Sequence, residues 1–121
     1  MIKEIAFTIY AVTDMPKSRA FYESALGLKT NDEFNGKDGK NENWIEYDVA
    51  GQTFAIGCSP DWKPSQDGAT IAFNVDDFDA AIKKLKADSV PFFMEPQEFP
   101  TCHMAVITDP DKNKIVIHKK K

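Results

Sequence analysis

Residues 5–28, IAFTIYAVTDMPKSRAFYESALGL, predict a strand that runs directly into a helix. Asp14 is a favourable N-cap, and Pro16 lies in the first helical turn, where its missing N–H breaks no hydrogen bond. Apolar residues then recur at helical spacing up to Gly27, a residue type that ends helices in the left-handed conformation. The segment therefore indicates a strand, a capped helix and a sharp stop.

Residues 70–90, TIAFNVDDFDAAIKKLKADSV, repeat this pattern. A shift of about 63 positions places Phe7 on Thr70 and Asp14 on Asp77, which becomes the second cap. Strand-like segments follow each helix, at residues 28–34, 43–49 and 52–58, and then at 91–99, 102–108 and 114–119. The order β-α-β-β-β thus occurs twice. We predict an α+β fold made of repeat 1 (about 1–59) and repeat 2 (about 68–121), with polar loops at 36–43 and 59–68.

The composition is that of an ordinary globular protein, with 121 residues of which 42% are hydrophobic and 28% charged. The net charge of −4 argues against a nucleic-acid surface, which needs clustered Lys and Arg. No export signal or membrane-length apolar stretch is recognisable, and the two cysteines, Cys58 and Cys102, allow one disulfide at most. We therefore expect a cytoplasmic protein with free thiols and without a nucleic-acid or membrane partner.

Three segments carry a family resemblance: VTDMPKSRAFYESALGL (12–28), VDDFDAAIKKLKADSVPF (75–92) and TDPDKNKIVIHK (108–119). In them the chain resembles the vicinal oxygen chelate superfamily, which includes glyoxalase I, bleomycin-resistance proteins and extradiol dioxygenases. The resemblance implies a single glyoxalase-like domain, residues 1–121, in which the strands of two βαβββ units curl around a shared cavity. One departure is Lys112, where the family usually has glycine. If that position needs a positive φ, lysine costs roughly 1 kcal/mol.

In metal-using members the resemblance implies four metal-ligand positions, which map to Phe7, Ala55, Thr70 and Val116. Phenylalanine, alanine and valine have no donor atoms, and a threonine hydroxyl is a poor ligand for Zn²⁺ or Fe²⁺. We therefore expect no metal and no other cofactor at this place.

The last two strands position both histidines of the chain. If residues 109–113 form the loop, Thr108 pairs with Lys114 and Met104 pairs with His118. Because side chains alternate across a sheet, His103 and His118 then point to opposite faces, which argues against a shared metal. Met104, Val116 and His118 would face the cavity.

The earlier hairpin admits two registers. A two-residue turn at Ala50 and Gly51 would place Trp44, Glu46 and Ala55 on the cavity side, whereas the repeat suggests a five-residue loop that reverses the faces. The short turn is favoured because it unites four large apolar residues on the helix side. These four are Ile45, Tyr47, Phe54 and Ile56.

Three functions remain open. The favoured one is a metal-free protein that holds a small organic ligand in an apolar cavity, as the bleomycin-resistance branch does. The alternatives are a lyase, isomerase or dioxygenase-like enzyme with a displaced site, and a partner-binding domain with a filled cavity.

Glu46 could be a general base or a charge partner for a cation, or simply a solvated carboxylate, and His118 could orient a ligand. Exposed sheet edges and the resemblance favour a homodimer. The candidate ligand-binding residues are Phe7, Trp44, Glu46, Ala55, Thr70, Met104, Val116 and His118.

Overall fold

Each half of the chain forms its own four-stranded sheet with one helical segment. The structure is a computed structural model that describes residues 1–31 and 43–121. It divides into unit 1, Met1–Pro64, and unit 2, Ser65–Lys121. Both units have the order β-α-β-β-β, so the predicted α+β architecture is confirmed. No helix in the described part of the chain is long and apolar enough to cross a membrane.

Unit 1 has the strand order β1-β4-β3-β2, with β1 parallel to β4 and the other neighbours antiparallel. Its elements are β1 (Thr8–Ala11), α1 (Met15–Ala20), a π-helical turn (Phe21–Ala25), β2 (Lys29–Thr30), β3 (Trp44–Val49) and β4 (Gln52–Gly57). The predicted strand at 28–34 is described only in part, because residues 32–42 lie outside the described residues, as does most of the predicted loop at 36–43.

The first helix begins and ends as the sequence predicts. The Asp14 carboxylate accepts a hydrogen bond from the Lys17 backbone N–H at 3.0 Å, and Gly27 follows the helix with a φ of 70°. The second half of the helix differs from the prediction of a regular α-helix. The Leu26 N–H bonds to the Phe21 carbonyl at 3.1 Å, five residues back, so the second half is π-helical.

The β3–β4 hairpin has the short turn. Val49 pairs with Gln52, and Ala50 and Gly51 both have positive φ, at 51° and 84°. The five-residue alternative is therefore wrong. The four apolar side chains expected on the helix side are at most 2% exposed, and they are Ile45, Tyr47, Phe54 and Ile56. Tyr22 from the helical segment lies against Phe54, with ring centroids 5.3 Å apart.

Unit 2 has the strand order β5-β8-β7-β6, with β5 parallel to β8. Its elements are β5 (Ile71–Asn74), α2 (Phe78–Ala87), β6 (Phe92–Glu98), β7 (Cys102–Thr108) and β8 (Lys114–Lys120). Asp77 caps α2, since its carboxylate accepts from the Ala80 N–H at 3.0 Å. The strand β6 is bulged and contains Pro96, both of which are typical of an edge strand.

The β7–β8 register is also confirmed, because Thr108 pairs with Lys114 and Met104 with His118. Asp109 organises the connecting turn: one carboxylate oxygen accepts from the N–H groups of Asp111 and Asn113, and the other accepts from the Asn113 side-chain amide. Lys112 has a φ of 67°, so the position where the family usually has glycine does require the left-handed region.

Candidate functional site

The structure brings four of the predicted site residues together in unit 1. Trp44 and Glu46 lie on the face of the sheet that α1 does not cover, and Glu46 pairs directly with Ala55 across β3 and β4. Ala55 is completely buried, whereas Trp44 and Glu46 are half-buried. Phe7 lies one residue before β1 rather than within it, and its ring meets Trp44 edge to face at 5.5 Å. We call this surface the unit 1 site face.

The Trp62 ring, which the prediction did not include, lies over Gly57, as does the edge of the Trp44 ring, and we call Phe7, Trp44 and Trp62 the aromatic cluster. A Cβ atom added at Gly57 would lie 2.7 Å from the Trp62 ring and 3.4 Å from the Trp44 ring. The bare glycine on β4 therefore creates the space that Trp62 occupies. Phe7 is 43% exposed and Trp62 is 37% exposed, so the cluster presents ring surface that the described residues leave accessible. In the sequence, the glycine at position 57 within a predicted strand was the feature that could have indicated this space.

Glu46 is held at the edge of this cluster. The Trp44 indole N–H donates a hydrogen bond to Glu46 Oε2 at 2.9 Å, and the Glu46 carbonyl accepts from the Asn31 N–H at 2.8 Å. The indole bond limits the rotamers of both side chains, so a carboxylate oxygen and an aromatic ring edge stay side by side. This arrangement suits a ligand that has a flat apolar part and a cationic or hydrogen-bond-donating part.

A groove of about 560 Å³ adjoins the site face. It lies between the segment that precedes β1 and the β3–β4 turn, with walls formed by residues 4–8 and 51–53. Of the eight predicted site residues, Phe7 lines this groove. Its ring therefore belongs to both the aromatic cluster and the groove wall.

The helix side of the same sheet contains a polar network. The Tyr47 hydroxyl donates to Glu23 Oε2 at 2.9 Å, and the same oxygen accepts from Arg19 Nε at 2.7 Å. Burial raises the pKa of Tyr47, and the hydrogen bond to the Glu23 carboxylate raises it further. This network ties the first helical segment to β3 behind the site face.

The other four predicted residues lie in unit 2. Met104, Val116 and His118 are half-buried on the face opposite a fully buried apolar layer, while Thr70 is exposed one residue before β5. The buried layer consists of Ala105, Ile107, Ile115 and Ile117. Asn74, which the prediction missed, pairs with His118 in the parallel β5–β8 register, and its Oδ1 lies 2.6 Å from His118 Nδ1. We call this surface the unit 2 site face.

The two histidines do lie on opposite faces of the unit 2 sheet. The His103 ring is 5.5 Å from Phe78 at the start of α2, whereas His118 lies on the unit 2 site face. The alternation of side chains along β7 and β8 thus separates the two imidazoles.

The residues at the four positions that the resemblance implies for a metal do not fit one. Phe7 and Ala55 in unit 1, and Val116 in unit 2, have no donor atoms, and Thr70 offers one neutral hydroxyl. Within residues 1–31 and 43–121, no group of three or more His, Cys, Asp or Glu side chains is placed to hold a metal ion.

A model of the glyoxalase/bleomycin resistance protein/dioxygenase superfamily matches residues 4–117. Among solved structures, a glyoxalase/dioxygenase from Nostoc punctiforme is 18% identical with a TM-score of 0.81, covering 98% of this chain and 92% of that one. A superfamily member from Sphaerobacter thermophilus is 24% identical with a TM-score of 0.75, covering 98% of each chain.

A lactoylglutathione lyase from Agrobacterium tumefaciens is 16% identical with a TM-score of 0.74, covering 98% of this chain and 95% of that one. No curated protein sequence gives a significant match. At these identities the structural matches establish a common fold only, so the function of this chain has to be argued from its own residues.

Proposed function

Because the chain belongs to the glyoxalase/bleomycin resistance protein/dioxygenase superfamily, yet has no donor side chain at three of the four positions that the resemblance implies for a metal, we propose that it binds a small organic molecule without a metal. The observation that carries this proposal is the aromatic cluster of Phe7, Trp44 and Trp62 with the Glu46 carboxylate at its edge. Exposed ring surface beside an anchored carboxylate is a feature of a binding site rather than of a filled core.

The chemistry of the cluster favours an aromatic ligand, either cationic or neutral. Ring-to-ring contacts contribute about 0.5–1.5 kcal/mol each beyond the burial of apolar area. A cationic group would gain both from the ring faces and from Glu46. An anionic ligand would instead meet the Glu46 charge, on a protein whose net charge is already −4.

Tryptophan fluorescence gives a direct test, because both tryptophans of the chain, Trp44 and Trp62, belong to the cluster. Aromatic compounds, for example benzyltrimethylammonium and its neutral analogue neopentylbenzene, should change the emission and raise the melting temperature. Glu46→Gln should weaken binding of the cation about threefold to fivefold and leave the neutral compound unaffected, since a partly exposed charge pair contributes up to about 1 kcal/mol.

Glu95→Gln is the matched control, because Glu95 is a strand carboxylate of unit 2 paired with Lys86. It should leave both affinities unchanged. Equal weakening by Glu46→Gln and Glu95→Gln would refute the role of Glu46, and the absence of any fluorescence response to aromatic compounds would refute the binding site.

Metal independence has its own measurement. Protein purified without chelators should carry no stoichiometric Zn, Ni, Fe or Mn by elemental analysis, and EDTA should leave its melting temperature unchanged. The hemithioacetal of glutathione and methylglyoxal should not turn over, even with added Ni²⁺ or Zn²⁺, because metal polarisation of the substrate oxygens needs ligands that Phe7, Ala55 and Val116 cannot supply. Metal-stimulated turnover would favour the alternative of a displaced enzymatic site.

We also propose that the protein is a homodimer. Within the described residues, β1 and β2 each pair on one side only, and so do β5 and β6 in unit 2. Such edges are commonly covered by a second copy. Light scattering should give twice the 13.6 kDa mass of the chain, and a mass of one chain at micromolar concentration would contradict the proposal.

Both cysteines are free thiols in the structure: Cys58 is half-buried and Cys102 is buried. Free thiols persist in reducing compartments, so we propose a cytoplasmic location. Cell fractionation would test it.

A further inference from the structure

We infer that His118 on the unit 2 site face recognises the hydroxyl group of a phenol-like or enol-like organic molecule, by accepting its hydrogen bond at Nε2. The inference rests on the proposed function in taking the ligand to be a small organic molecule. It concerns a site in unit 2 by itself, and it names the chemical group recognised there.

The backbone register sets up this element. Asn74 on β5 and His118 on β8 are paired in parallel, and the Val75 N–H bonds to the His118 carbonyl at 3.0 Å. The two side chains therefore emerge side by side on one face, and His118 Nδ1 lies 2.6 Å from Asn74 Oδ1. With the amide oxygen of Asn74 assigned as the atom that faces Nδ1, this hydrogen bond places the proton on Nδ1, because an amide oxygen can only accept.

A neutral imidazole that is protonated at Nδ1 has its lone pair on Nε2. Asn74 thus selects the tautomer in which His118 is an acceptor for an incoming ligand. Second groups that orient a functional imidazole in this way are common in binding and catalytic sites. Because a carboxylate has no proton to donate, the arrangement selects a hydroxyl donor over an acid anion.

The neighbours of His118 indicate the chemistry of the rest of the ligand. Met104 is its partner across β7 and β8, and Val116 lies two residues earlier on the same face, beside Ala72 of β5. Both Met104 and Val116 are half-buried. An apolar ligand body with a hydroxyl at one end matches this combination, since the body contacts methionine and valine while the hydroxyl reaches the imidazole.

Long-range ¹H–¹⁵N spectroscopy of ¹⁵N-histidine protein tests the tautomer directly, because the chain has two histidines. His103→Gln assigns the remaining signal to His118 without changing the unit 2 site face, since His103 lies on the other face. The Nδ1–H tautomer should dominate for neutral His118, and Asn74→Ala should remove this preference. A dominant Nε2–H tautomer would overturn the inference.

Binding is tested with 4-methylphenol, which stays protonated at a pH where the spectrum shows neutral His118, and with its methyl ether, 4-methylanisole. The phenol should shift the His118 Nε2 resonance and bind about fivefold more tightly than the ether, because one neutral hydrogen bond is gained. His118→Phe should remove this difference, while His103→Gln should keep it. Equal binding of phenol and ether, or a difference that survives in His118→Phe, would overturn the inference.

The two sites give separate signals. A tryptophan response to aromatic compounds without any change at His118 would leave the proposed function standing and refute this inference. A His118 response that discriminates phenol from ether, without a tryptophan response, would support this inference and refute the aromatic cluster as the binding site.

Discussion

Lys112→Gly should stabilise the protein, and the size of the effect follows from one backbone angle. Lys112 lies in the β7–β8 turn with a φ of 67°, and its N–H bonds to the Asp109 carbonyl at 2.9 Å. An L-residue in the left-handed region costs about 1–2 kcal/mol, a cost that glycine avoids. Glycine also increases the conformational entropy of the unfolded chain, which offsets about 0.5–1 kcal/mol of this gain.

The expected net gain is therefore roughly 0.5–1 kcal/mol, with the Asp109 hydrogen bonds of the turn retained. Equilibrium unfolding in urea should show a higher midpoint with an unchanged slope, and the melting temperature should rise by about 2–5 °C. An unchanged slope matters because it shows that the folded state has gained stability without a change in the surface exposed on unfolding.

Lys83→Gly is the matched control, because Lys83 lies exposed within α2, where φ is helical. The same chemical change should there destabilise the protein by about 1 kcal/mol. If Lys112→Gly were neutral or destabilising while Lys83→Gly behaved as expected, the turn would not store the strain that we assign to it.

Three further predictions concern unit 1. Ser18→Ala should raise the free energy of unfolding by about 1 kcal/mol in urea titrations, because the Ser18 Oγ atom is buried and makes no hydrogen bond within the described residues. Gly57→Ala should displace the Trp62 ring, seen as a shift in tryptophan emission and a weaker response to aromatic ligands; unchanged emission would contradict the packing. The pKa of Tyr47 is raised in the folded state, so above about pH 10 the hydroxyl loses its proton in the unfolded state while the folded state retains it. Because the unfolded state then binds fewer protons than the folded state, the free energy of unfolding should fall by up to about 1.4 kcal/mol per pH unit. Tyr47→Phe should make this alkaline loss less steep in urea titrations between pH 9 and 11, and an identical slope would exclude Tyr47 as its source.

Local chemistry in the sequence was sufficient to predict the elements and their order. The caps at Asp14 and Asp77 and the stop at Gly27 depend on neighbours three or four residues away, so they are visible in the chain itself. The register of both hairpins followed from turn length and from the alternation of apolar residues, and the structure confirms both. The π-helical turn at Phe21–Ala25 was not predictable, because its apolar spacing is also compatible with an α-helix.

The residue types at the four positions that the resemblance implies for a metal can also be read from the sequence, and Phe7, Ala55 and Val116 have no donor atoms in any fold. Which residues surround those positions was decided by tertiary structure. Trp62 reaches the aromatic cluster because Gly57, five residues earlier, leaves room for its ring. Asn74 meets His118 across 44 residues because β5 and β8 pair in parallel, and the register between strands so distant in sequence depends on the packing of the whole sheet rather than on any local pattern.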